Sequence, residues 1–577
     1  MSDTQTHIET KENSIKFHPV ILKLFEKRGM GPEEIQEFLS WDLKALPDLT
    51  MMNDMDKTAT RIIEAMDNGE KIGIYGDYDV DGTTSCALFY HFFKMFGLEV
   101  STIQPSRFVE GYGIHPSSID KAQSEGIKLL ITVDCGITNN EAAEYAKERG
   151  LDLIITDHHK DAREEMPPAY AVVNPNRRDE PTNSPLRPLA GVTVAFAVCL
   201  AVKNKLDSMG RQCPSIYPLL QFAAIGTICD LAKLTPVNLK IVRHGMKQIK
   251  DTQYPGIRIF FSKEDRALNV IPSEKLSFHL GPMINSKGRL DHPEKALELL
   301  ICDDSTKAFE NYNHLEISNK ERKFIQAEVF NSAKEQFLKE LNDDTNICVV
   351  YDPEWHEGVI GIVASKMVEN FKMPAIVFTD SENEGIIKAS ARSAGNLSIF
   401  DLLNANSELF VKFGGHKAAA GLSMKVENLP ILKERLNKAL ENVPQIERTV
   451  TETYDVEIKP EDVNPALVKQ LELLEPFGMG NEKPVFKMKG FRLESYDLLK
   501  DVHVRWNFSS LENPNVRLRG ISFNYIGKWE ALHPEELFRN QTIPGNELCA
   551  FFTLGINRFN GNEYIQLMVD KIEPGTF

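Results

Sequence analysis

The chain is poor in cysteine, since its 577 residues include eight and no two of them are spaced as C-x-x-C. The sequence therefore offers no disulfide framework, and unpaired thiols fit a reducing cytoplasm. A run of about 18 apolar residues, which a membrane-spanning helix requires, is also missing. The N-terminal segment lacks the basic flank and apolar core of a signal peptide. We therefore predict a cytoplasmic protein with no membrane partner.

Positive charge is scarce as well, because 83 acidic residues outnumber 66 basic ones and give a formal net charge of −17. Taken alone, this excess argues against nucleic acid as a partner. The distribution of charge matters more than its sum, however, since a local basic path is enough to hold a polyanion. The length exceeds what one hydrophobic core supports, so we expect two to four domains.

What the chain does contain is a set of four short acidic and histidine clusters. Three of them follow apolar runs that predict short buried strands at residues 71–75, 129–133 and 151–155. In an open parallel sheet, ligands bind beyond the carboxyl ends of the strands. We therefore expect the clusters to converge on one cleft, although they are far apart in sequence. The four clusters are Gly76-Asp77-Tyr78-Asp79-Val80-Asp81-Gly82, Thr132-Val133-Asp134-Cys135-Gly136, Thr156-Asp157-His158-His159 and Gly226-Thr227-Ile228-Cys229-Asp230.

Several carboxylates in one cleft would repel each other and raise each other's pKa values. Divalent cations remove this repulsion, and a mixed set of carboxylate and imidazole ligands suits Mn²⁺, and Mg²⁺ or Zn²⁺ less clearly. The number of ligands predicts two ions that share one carboxylate. Such a pair can activate water and clamp a phosphate during in-line displacement, which indicates a two-metal phosphoesterase. The alternative for any single aspartate is a helix N-cap or a turn former.

The ordered clusters resemble the motifs of the DHH phosphoesterase superfamily. The segments that flank these clusters include Arg107-Phe108-Val109-Glu110-Gly111-Tyr112-Gly113, Val173-Asn174-Pro175-Asn176, Gly281 to Leu290, Trp355 to Gly361 and Phe413 to Gly421. They narrow the resemblance to the RecJ single-strand-specific exonucleases, and the match runs from about residue 15 to the C-terminus. The sequence departs from the family pattern at Thr193, Leu231, Met283 and Lys323, none of which is an expected metal ligand.

The resemblance implies a role for each acidic and histidine side chain. Asp81 would shape the metal-binding loop or hold a ligand in place. Asp157 would orient His158 or cap the following helix, and His159 would contact the scissile phosphate or assist proton transfer. Asp134 would bridge two ions, either Mn²⁺ or Mg²⁺. The implied metal ligands are Asp77, Asp79, Asp134, His158 and Asp230.

The resemblance also implies a path for DNA. Arg107, Ser390 and Arg392 match positions that hold the 5′-phosphate, a task that suits the guanidinium fork. Ser390 and Arg392 are also two residues apart on a predicted strand, so they share a face. Tyr112 would stack on a terminal base. The other implied contacts are Asn285 and Arg289 near the phosphate backbone, and Gly414, Gly415 and His416 in a predicted glycine loop.

The order of predicted elements indicates an α/β protein, with two α/β domains joined by a long helix and followed by a C-terminal OB-like β-barrel. Asp304-Ser305 predicts the N-cap of the long helix. In the barrel, Trp506, Phe508 and Phe559 are either base-stacking residues or core aromatics. The expected divisions are 1–70 for an N-terminal tail and helices, 71–303 for the DHH catalytic domain, 304–342 for the connecting helix, 343–449 for the DHHA1 domain and 450–577 for the OB-like domain.

The resemblance implies an exonuclease that hydrolyses single-stranded DNA from 5′ to 3′ and releases 5′-mononucleotides in recombination and repair, and the two-metal phosphoesterase indicated by the residues agrees with it. Two alternatives stay open. One is another phosphodiesterase of the same superfamily, such as an oligoribonuclease, although such enzymes typically lack the barrel. The other is a non-catalytic scaffold that binds single strands, a class that tends to lose the acidic ligands kept here. The resemblance implies a monomer, with a helicase and a single-strand-binding protein as partners.

Overall fold

The computed structural model describes residues 7–9, 14–106, 111–161, 165–268, 271–290, 293–342, 344–449, 453–527, 547–559 and 562–574. Within these ranges, no helix has the length and apolar character needed to cross a lipid bilayer. The described chain forms two α/β units, a long helix between them and a closed barrel. The predicted fold class is therefore confirmed.

Short N-terminal elements pack on both the first α/β unit and the barrel. Their apolar side chains recur at helical spacing, and they join one continuous core with residues of both units. Within the predicted N-terminal tail, residues 7–9 and 14–16 form two short strands that pair antiparallel. The elements are β1 (His7–Glu9), β2 (Ser14–Lys16), α1 (Pro19–Lys27), α2 (Pro32–Leu39) and α3 (Met55–Asp67).

The first α/β unit consists of a parallel sheet and surrounding helices. Its elements in chain order are β3 (Ile72–Gly76), α4 (Val80–Lys94), β4 (Ser101–Ile103), α5 (Pro116–Ser124), β5 (Leu129–Val133), α6 (Asn140–Glu148), β6 (Asp152–Thr156), β7 (Ala171–Val173), α7 (Gly191–Ser208), α8 (Leu220–Cys229), α9 (Pro236–Ile249), α10 (Pro255–Arg258), α11 (Lys263–Ala267), α12 (Ser273–Lys275), α13 (Gly281–Leu290) and α14 (Glu294–Ile301). The strand order is β4-β3-β5-β6-β7. β3 and β5 are buried at every residue, as expected for strands with helices on both faces.

A single helix of 36 residues, α15 (Ser305–Glu340), follows the first unit. It is about 54 Å long at 1.5 Å per residue. Asp304 caps it by accepting two backbone amide hydrogen bonds of 2.9 Å. Leu315 packs in the core of the first unit, whereas Phe337 packs in a core of the second. The helix thus bridges the two units, as the sequence predicts.

The second α/β unit contains β8 (Cys348–Tyr351), α16 (Glu357–Phe371), β9 (Ala375–Asp380), β10 (Ile386–Arg392), α17 (Ile399–Asn404), β11 (Phe410–His416), β12 (Ala419–Lys425), α18 (Leu429–Glu441) and α19 (Gln445–Arg448). Its sheet has the order β11-β12-β10-β9-β8. Only the β8–β9 pair is parallel among these described strands.

The predicted glycine loop is wrong, because Gly414, Gly415 and His416 are part of β11 at the edge of this sheet. Gly415 pairs with Ala420 and has a φ of +154°. A Cβ at Gly415 would lie 2.5 Å from the carbonyl oxygen of Ala419. Close strand pairing therefore explains the glycine without a bound phosphate.

The C-terminal unit is a barrel whose elements are β13 (Val456–Ile458), α20 (Pro465–Glu472), β14 (Phe486–Leu499), β15 (His503–Ser510), β16 (Arg517–Ser522), β17 (Glu547–Phe559) and β18 (Asn562–Pro574). The strand order β14-β15-β16-β18-β17 closes through a β14–β17 pair. Trp506 and Phe508 are 0% and 1% exposed, so they are core aromatics and the stacking interpretation is wrong for both. The side chain of Phe559 lies outside the described residues.

Candidate active site

The first acidic cluster lies where β3 ends and α4 begins. Asp77 is buried directly after the strand, and Asp79 caps the helix by accepting a hydrogen bond of 3.0 Å from a first-turn amide. Asp81 is fully buried and accepts hydrogen bonds from the amides of Gly191 at 2.6 Å and Val192 at 2.9 Å. These amides begin α7, so the positive end of that helix holds Asp81 in place.

Asp134 follows β5 in a left-handed conformation, with a φ of +59° and 2% of its surface exposed. Such strain is rare for a residue with a side chain and is found preferentially at functional sites. A Cβ at Gly191 would lie 2.9 Å from Oδ1 of Asp134 and 2.9 Å from Oδ2 of Asp81. A Cβ at Gly226 would lie 2.7 Å from Oδ1 of Asp81. The two glycines therefore leave the space that the carboxylates occupy.

His158 connects the clusters that follow β3, β5 and α8. Its Nε2 lies 3.1 Å from Oδ1 of Asp134. The same atom lies 3.7 Å from a carboxylate oxygen of Asp81 and 3.7 Å from one of Asp230. Asp230 is the C-cap residue that directly follows α8. Four clusters that are far apart in sequence therefore meet at the carboxyl ends of the central strands.

Asp157 is a fully buried carboxylate that organises the turn after β6. Its Oδ1 accepts hydrogen bonds from the amides of His158 at 2.7 Å and His159 at 3.0 Å, and lies 2.8 Å from Nδ1 of His159. Its Oδ2 accepts one from the Ile137 amide at 2.9 Å. Asp157 thus orients the ring of His159, whereas it holds His158 by the backbone and not by the ring.

Three overlapping groups of side chains could hold metal ions, because the ligand atoms of each lie within 4.8 Å of one another. Oδ1 of Asp134 and Nε2 of His158 are buried without a hydrogen-bond partner among the described residues. A cation between them would satisfy both atoms, so the donor set fits a divalent ion that accepts oxygen and nitrogen ligands. The groups are Asp77 with Asp79 and Asp134, Asp134 with His158 and His159, and Asp81 with His158 and Asp230.

The electrostatics of the centre favour bound cations. Burial, followed by the charge of Asp79, raises the pKa of Asp81 to about 7. Burial and the charge of Asp81 raise the pKa of Asp230 to about 9. Burial also raises the pKa of Asp134, and the surrounding carboxylates add to this effect. In contrast, burial and the nearby His159 lower the pKa of His158 to about 4, so its ring is neutral and able to donate a lone pair.

A second polar site is a cavity of about 370 Å³ between α13 and the second α/β unit. Nη1 of Arg392 donates a hydrogen bond of 2.8 Å to Oγ of Ser390, two residues away on β10. A Cβ at Gly361 would lie 3.1 Å from each of these side chains, so the glycine keeps the cavity open beside them. The cavity is lined by Arg289, Glu357, Gly358, Ile360, Gly361, Lys388, Ala389, Ser390 and Arg392.

Known families match this chain along most of its length. The DHH family N-terminal domain matches residues 71–227, the DHHA1 domain matches 344–442 and the RecJ OB domain matches 454–571. The single-stranded-DNA-specific exonuclease RecJ of Bacillus subtilis is 32% identical over 569 residues, which cover 98% of this chain and 69% of that protein. The RecJ of Escherichia coli is 31% identical over 582 residues, which cover 98% of each chain. This chain belongs to the RecJ family.

A RecJ structure agrees with the fold described above. The crystal structure of RecJ from Thermus thermophilus in complex with Mn²⁺ superposes with a TM-score of 0.76 at 26% identity. The match covers 97% of this chain and 76% of the Thermus chain. The resemblance to the RecJ family predicted from the motifs is therefore confirmed.

The remaining residues that the sequence predicts to bind substrate lie in separate parts of this RecJ family member. The hydroxyl of Tyr112 lies 3.0 Å from Nδ1 of His159, and 41% of Tyr112 is exposed. Asn285 is a half-buried residue of α13. Gly414, Gly415 and His416 are exposed on β11 and do not line the cavity. Arg107 lies outside the described residues.

Sequence reasoning gave no role to several residues that position the centre. The side-chain amide of Asn174 donates to the carbonyl of His159 at 2.9 Å, and that of Asn176 donates to the carbonyl of His158 at 2.6 Å. Both belong to the Val-Asn-Pro-Asn segment that carries part of the RecJ resemblance, so this motif could have pointed to their role. Gln104 donates to the carbonyl of Asp77 at 2.9 Å, and no motif marks it.

Proposed function

We propose that this chain hydrolyses single-stranded DNA from its 5′ end and releases 5′-mononucleotides. The observation that carries the proposal is the presence of two complementary sites in one fold. One is the acidic and histidine centre at the carboxyl ends of the central strands. The other is the cationic cavity where α13 meets the second α/β unit. Membership in a family whose relatives are named single-stranded-DNA-specific exonucleases supports the choice of substrate.

The acidic and histidine centre would hold two divalent ions, Mn²⁺ or Mg²⁺, with Asp134 between them. When bound, the ions supply Lewis acidity toward the phosphate and activate water at neutral pH. The Thermus RecJ crystallised with Mn²⁺ supports this assignment. The expected ligands are Asp77, Asp79, Asp134, His158 and Asp230.

Side chains around the centre would orient the reacting phosphate and the strand end. His159 is held by Asp157 and keeps 41% of its side chain exposed, so it can contact the scissile phosphate or move a proton to the leaving oxygen. Asp81 receives the amides of α7 and fixes the start of α4, which carries Asp79 at its cap. Tyr112 lies beside His159, where its exposed ring can stack on a terminal base.

The cationic cavity supplies the polarity of the reaction. Arg289, Ser390 and Arg392 place hydrogen-bond donors around it. A terminal phosphate carries nearly two negative charges, whereas an internal phosphodiester carries one. The cavity therefore favours a strand end over an internal segment. By family resemblance, Arg107 would contribute to the same grip.

The alternatives fit less well. A non-catalytic scaffold would not need the buried and mutually repelling carboxylates of the centre. An oligoribonuclease-like enzyme would not need the closed barrel, which suits a longer strand.

We further propose that the protein acts as a cytoplasmic monomer, and that a helicase and a single-strand-binding protein supply and cover its substrate.

The test is degradation of single-stranded oligonucleotides with Mn²⁺, comparing 5′-blocked with 3′-blocked strands. We expect the 5′ block alone to protect. Asp79→Ala should remove turnover and leave strand binding measurable. Degradation from the 3′ end would refute the polarity, and binding without degradation by the unmodified protein would favour the scaffold.

A further inference from the structure

The cationic cavity contains one carboxylate. Glu357, the first residue of α16, lines it together with Arg289, Lys388 and Arg392. Glu357 and Lys388 form an ion pair, and 29% of each side chain is exposed. The carboxylate is therefore neither buried in a core nor fully solvated, and it borders the space that the proposed function gives to a terminal phosphate.

Glu357 and a bound phosphate would compete for the same positive groups. A carboxylate in the first turn of a helix is stabilised by the helix dipole, and so is an anion bound at that end. Lys388 is likewise a partner for either anion. Burial lowers the pKa of Lys388 and of Arg392, which indicates that the cavity is partly desolvated. Charges at such a site interact more strongly than charges in open water.

The balance of charge in the cavity matches a small terminal group. Among the described lining residues there are three cations and one carboxylate, which leaves two positive charges. A phosphate monoester carries about −1.5 to −2 at neutral pH and balances them. Each further phosphoryl group adds about one negative charge or more, and the described lining offers no further cation to balance it.

We propose that Glu357 restricts the cavity to a 5′-monophosphate and rejects 5′-polyphosphate ends. The inference rests on the proposed function in one respect, since it takes the cavity as the site of the strand's 5′ end. It adds a specificity-determining residue whose effect is repulsion rather than attraction. A carboxylate in a phosphate site weakens binding of every anion, but it weakens binding of the more highly charged anion most.

The experiment measures binding and degradation separately. Oligonucleotides of one sequence, labelled at the 3′ end, carry a 5′-hydroxyl, a 5′-monophosphate or a 5′-triphosphate. Binding to the full-length protein is followed by fluorescence anisotropy in EDTA, so that turnover is not needed. Degradation rates are then measured with Mn²⁺. The variants are Glu357→Gln and the control Glu354→Gln, which removes the same charge from an exposed turn outside the cavity lining.

The unmodified protein and Glu354→Gln should bind the monophosphate about tenfold or more tightly than the triphosphate. Glu357→Gln should reduce this ratio to about threefold or less, mainly by tighter binding of the triphosphate. Lys388→Met leaves Glu357 without its partner and should widen the ratio, so it tests the same idea with the opposite sign. Thermal unfolding of each variant confirms that it is folded.

The possible results separate the two proposals. Equal affinity of the unmodified protein for both phosphorylated ends, or an unchanged ratio in Glu357→Gln, would overturn the role of Glu357. A strand that is bound with the expected ratio but degraded from its 3′ end, or not at all, would overturn the proposed function and leave the role of Glu357 supported.

Discussion

Nε2 of His158 lies 3.1 Å from Oδ1 of Asp134, and neither atom has a hydrogen-bond partner within the described part of the chain. Burial keeps the pKa of His158 low, near 4, so the ring is neutral at physiological pH. The other ring nitrogen of His158 is hydrogen-bonded to the backbone at Leu189, so Nε2 carries the lone pair. This lone pair and the carboxylate oxygen repel each other unless a proton or a cation lies between them, which fits the raised pKa of Asp134. The centre is therefore a destabilising element of the metal-free protein and a stabilising one of the metal-bound protein.

Asp134→Asn should abolish Mn²⁺-dependent degradation of single-stranded DNA while it stabilises the metal-free protein. The rate should fall by at least about 100-fold, because Asp134 belongs to two of the three groups that could hold a metal ion. The melting temperature in EDTA should rise, since a buried carboxylate surrounded by Asp81, Asp79 and Asp77 is replaced by a neutral group. Oligonucleotide degradation and scanning fluorimetry measure the two effects. Asp501→Asn, an exposed turn substitution, is the control, and a lower melting temperature for Asp134→Asn alone would contradict the argument.

Substitutions of the two adjacent histidines, His158 and His159, should differ in how much Mn²⁺ then stabilises the protein. In the unmodified protein, Mn²⁺ at about 100 times its dissociation constant should add about 2.7 kcal/mol to the free energy of unfolding. His158→Ala should lose most of this gain, because Nε2 of His158 lies among three carboxylates. His159→Ala should keep the gain and lose about 100-fold or more in turnover. Urea unfolding with and without Mn²⁺ measures the first effect, and equal losses in both variants would show that the histidines share one role.

The convergence of the centre followed from sequence because it depends on a general property of parallel sheets. Asp77 and Asp134 each come directly after a buried apolar run, and the carboxyl ends of such strands meet at one edge. The hydrogen bonds of Asp81 could not be predicted in the same way. Its amide donors at Gly191 and Val192 are 110 and 111 residues away, and no local pattern links them.

The errors in the second unit and in the barrel arose where tertiary partners decide the outcome. A pair of glycines is compatible with a loop or with a strand. Gly415 lies in a strand because it pairs with Ala420 on β12, and the close approach of the Ala419 carbonyl leaves no room for a Cβ. Successive side chains of β15 lie on opposite faces of the strand, but the sequence alone does not show which face is turned toward the core. Trp506 lies inside because the β14–β17 pair closes the barrel around it, and its Nε1 donates to Ser522 at 2.8 Å.

Gly191→Ala should destabilise the protein through the metal centre. Its new Cβ would lie 2.9 Å from Cβ of Asp134 and 2.9 Å from Oδ2 of Asp81, closer than such atoms normally approach. We expect a loss of roughly 1–3 kcal/mol in the free energy of unfolding, as for other overpacked sites, and a lower affinity for Mn²⁺. Gly555→Ala is the matched control, because a Cβ there meets nothing within 4 Å. Urea unfolding measures stability, and equal effects of the two substitutions would refute the steric account.

His91 should make the protein lose stability in mild acid. Burial lowers its pKa from 6.5 to about 4, its Nε2 lies 2.9 Å from the Leu300 carbonyl, and its ring packs against Phe222 and Tyr254. Between these two pKa values the unfolded chain binds a proton that the folded chain does not, so the contribution is fully present above pH 6.5 and declines as the pH falls toward 4. The decline amounts to roughly 3 kcal/mol. His91→Phe should lower the free energy of unfolding at pH 7.5, because the Leu300 carbonyl loses its donor, but should remove this part of the pH dependence. Urea unfolding of both proteins from pH 4.5 to pH 7.5 measures the difference, and parallel curves would show that His91 does not carry it.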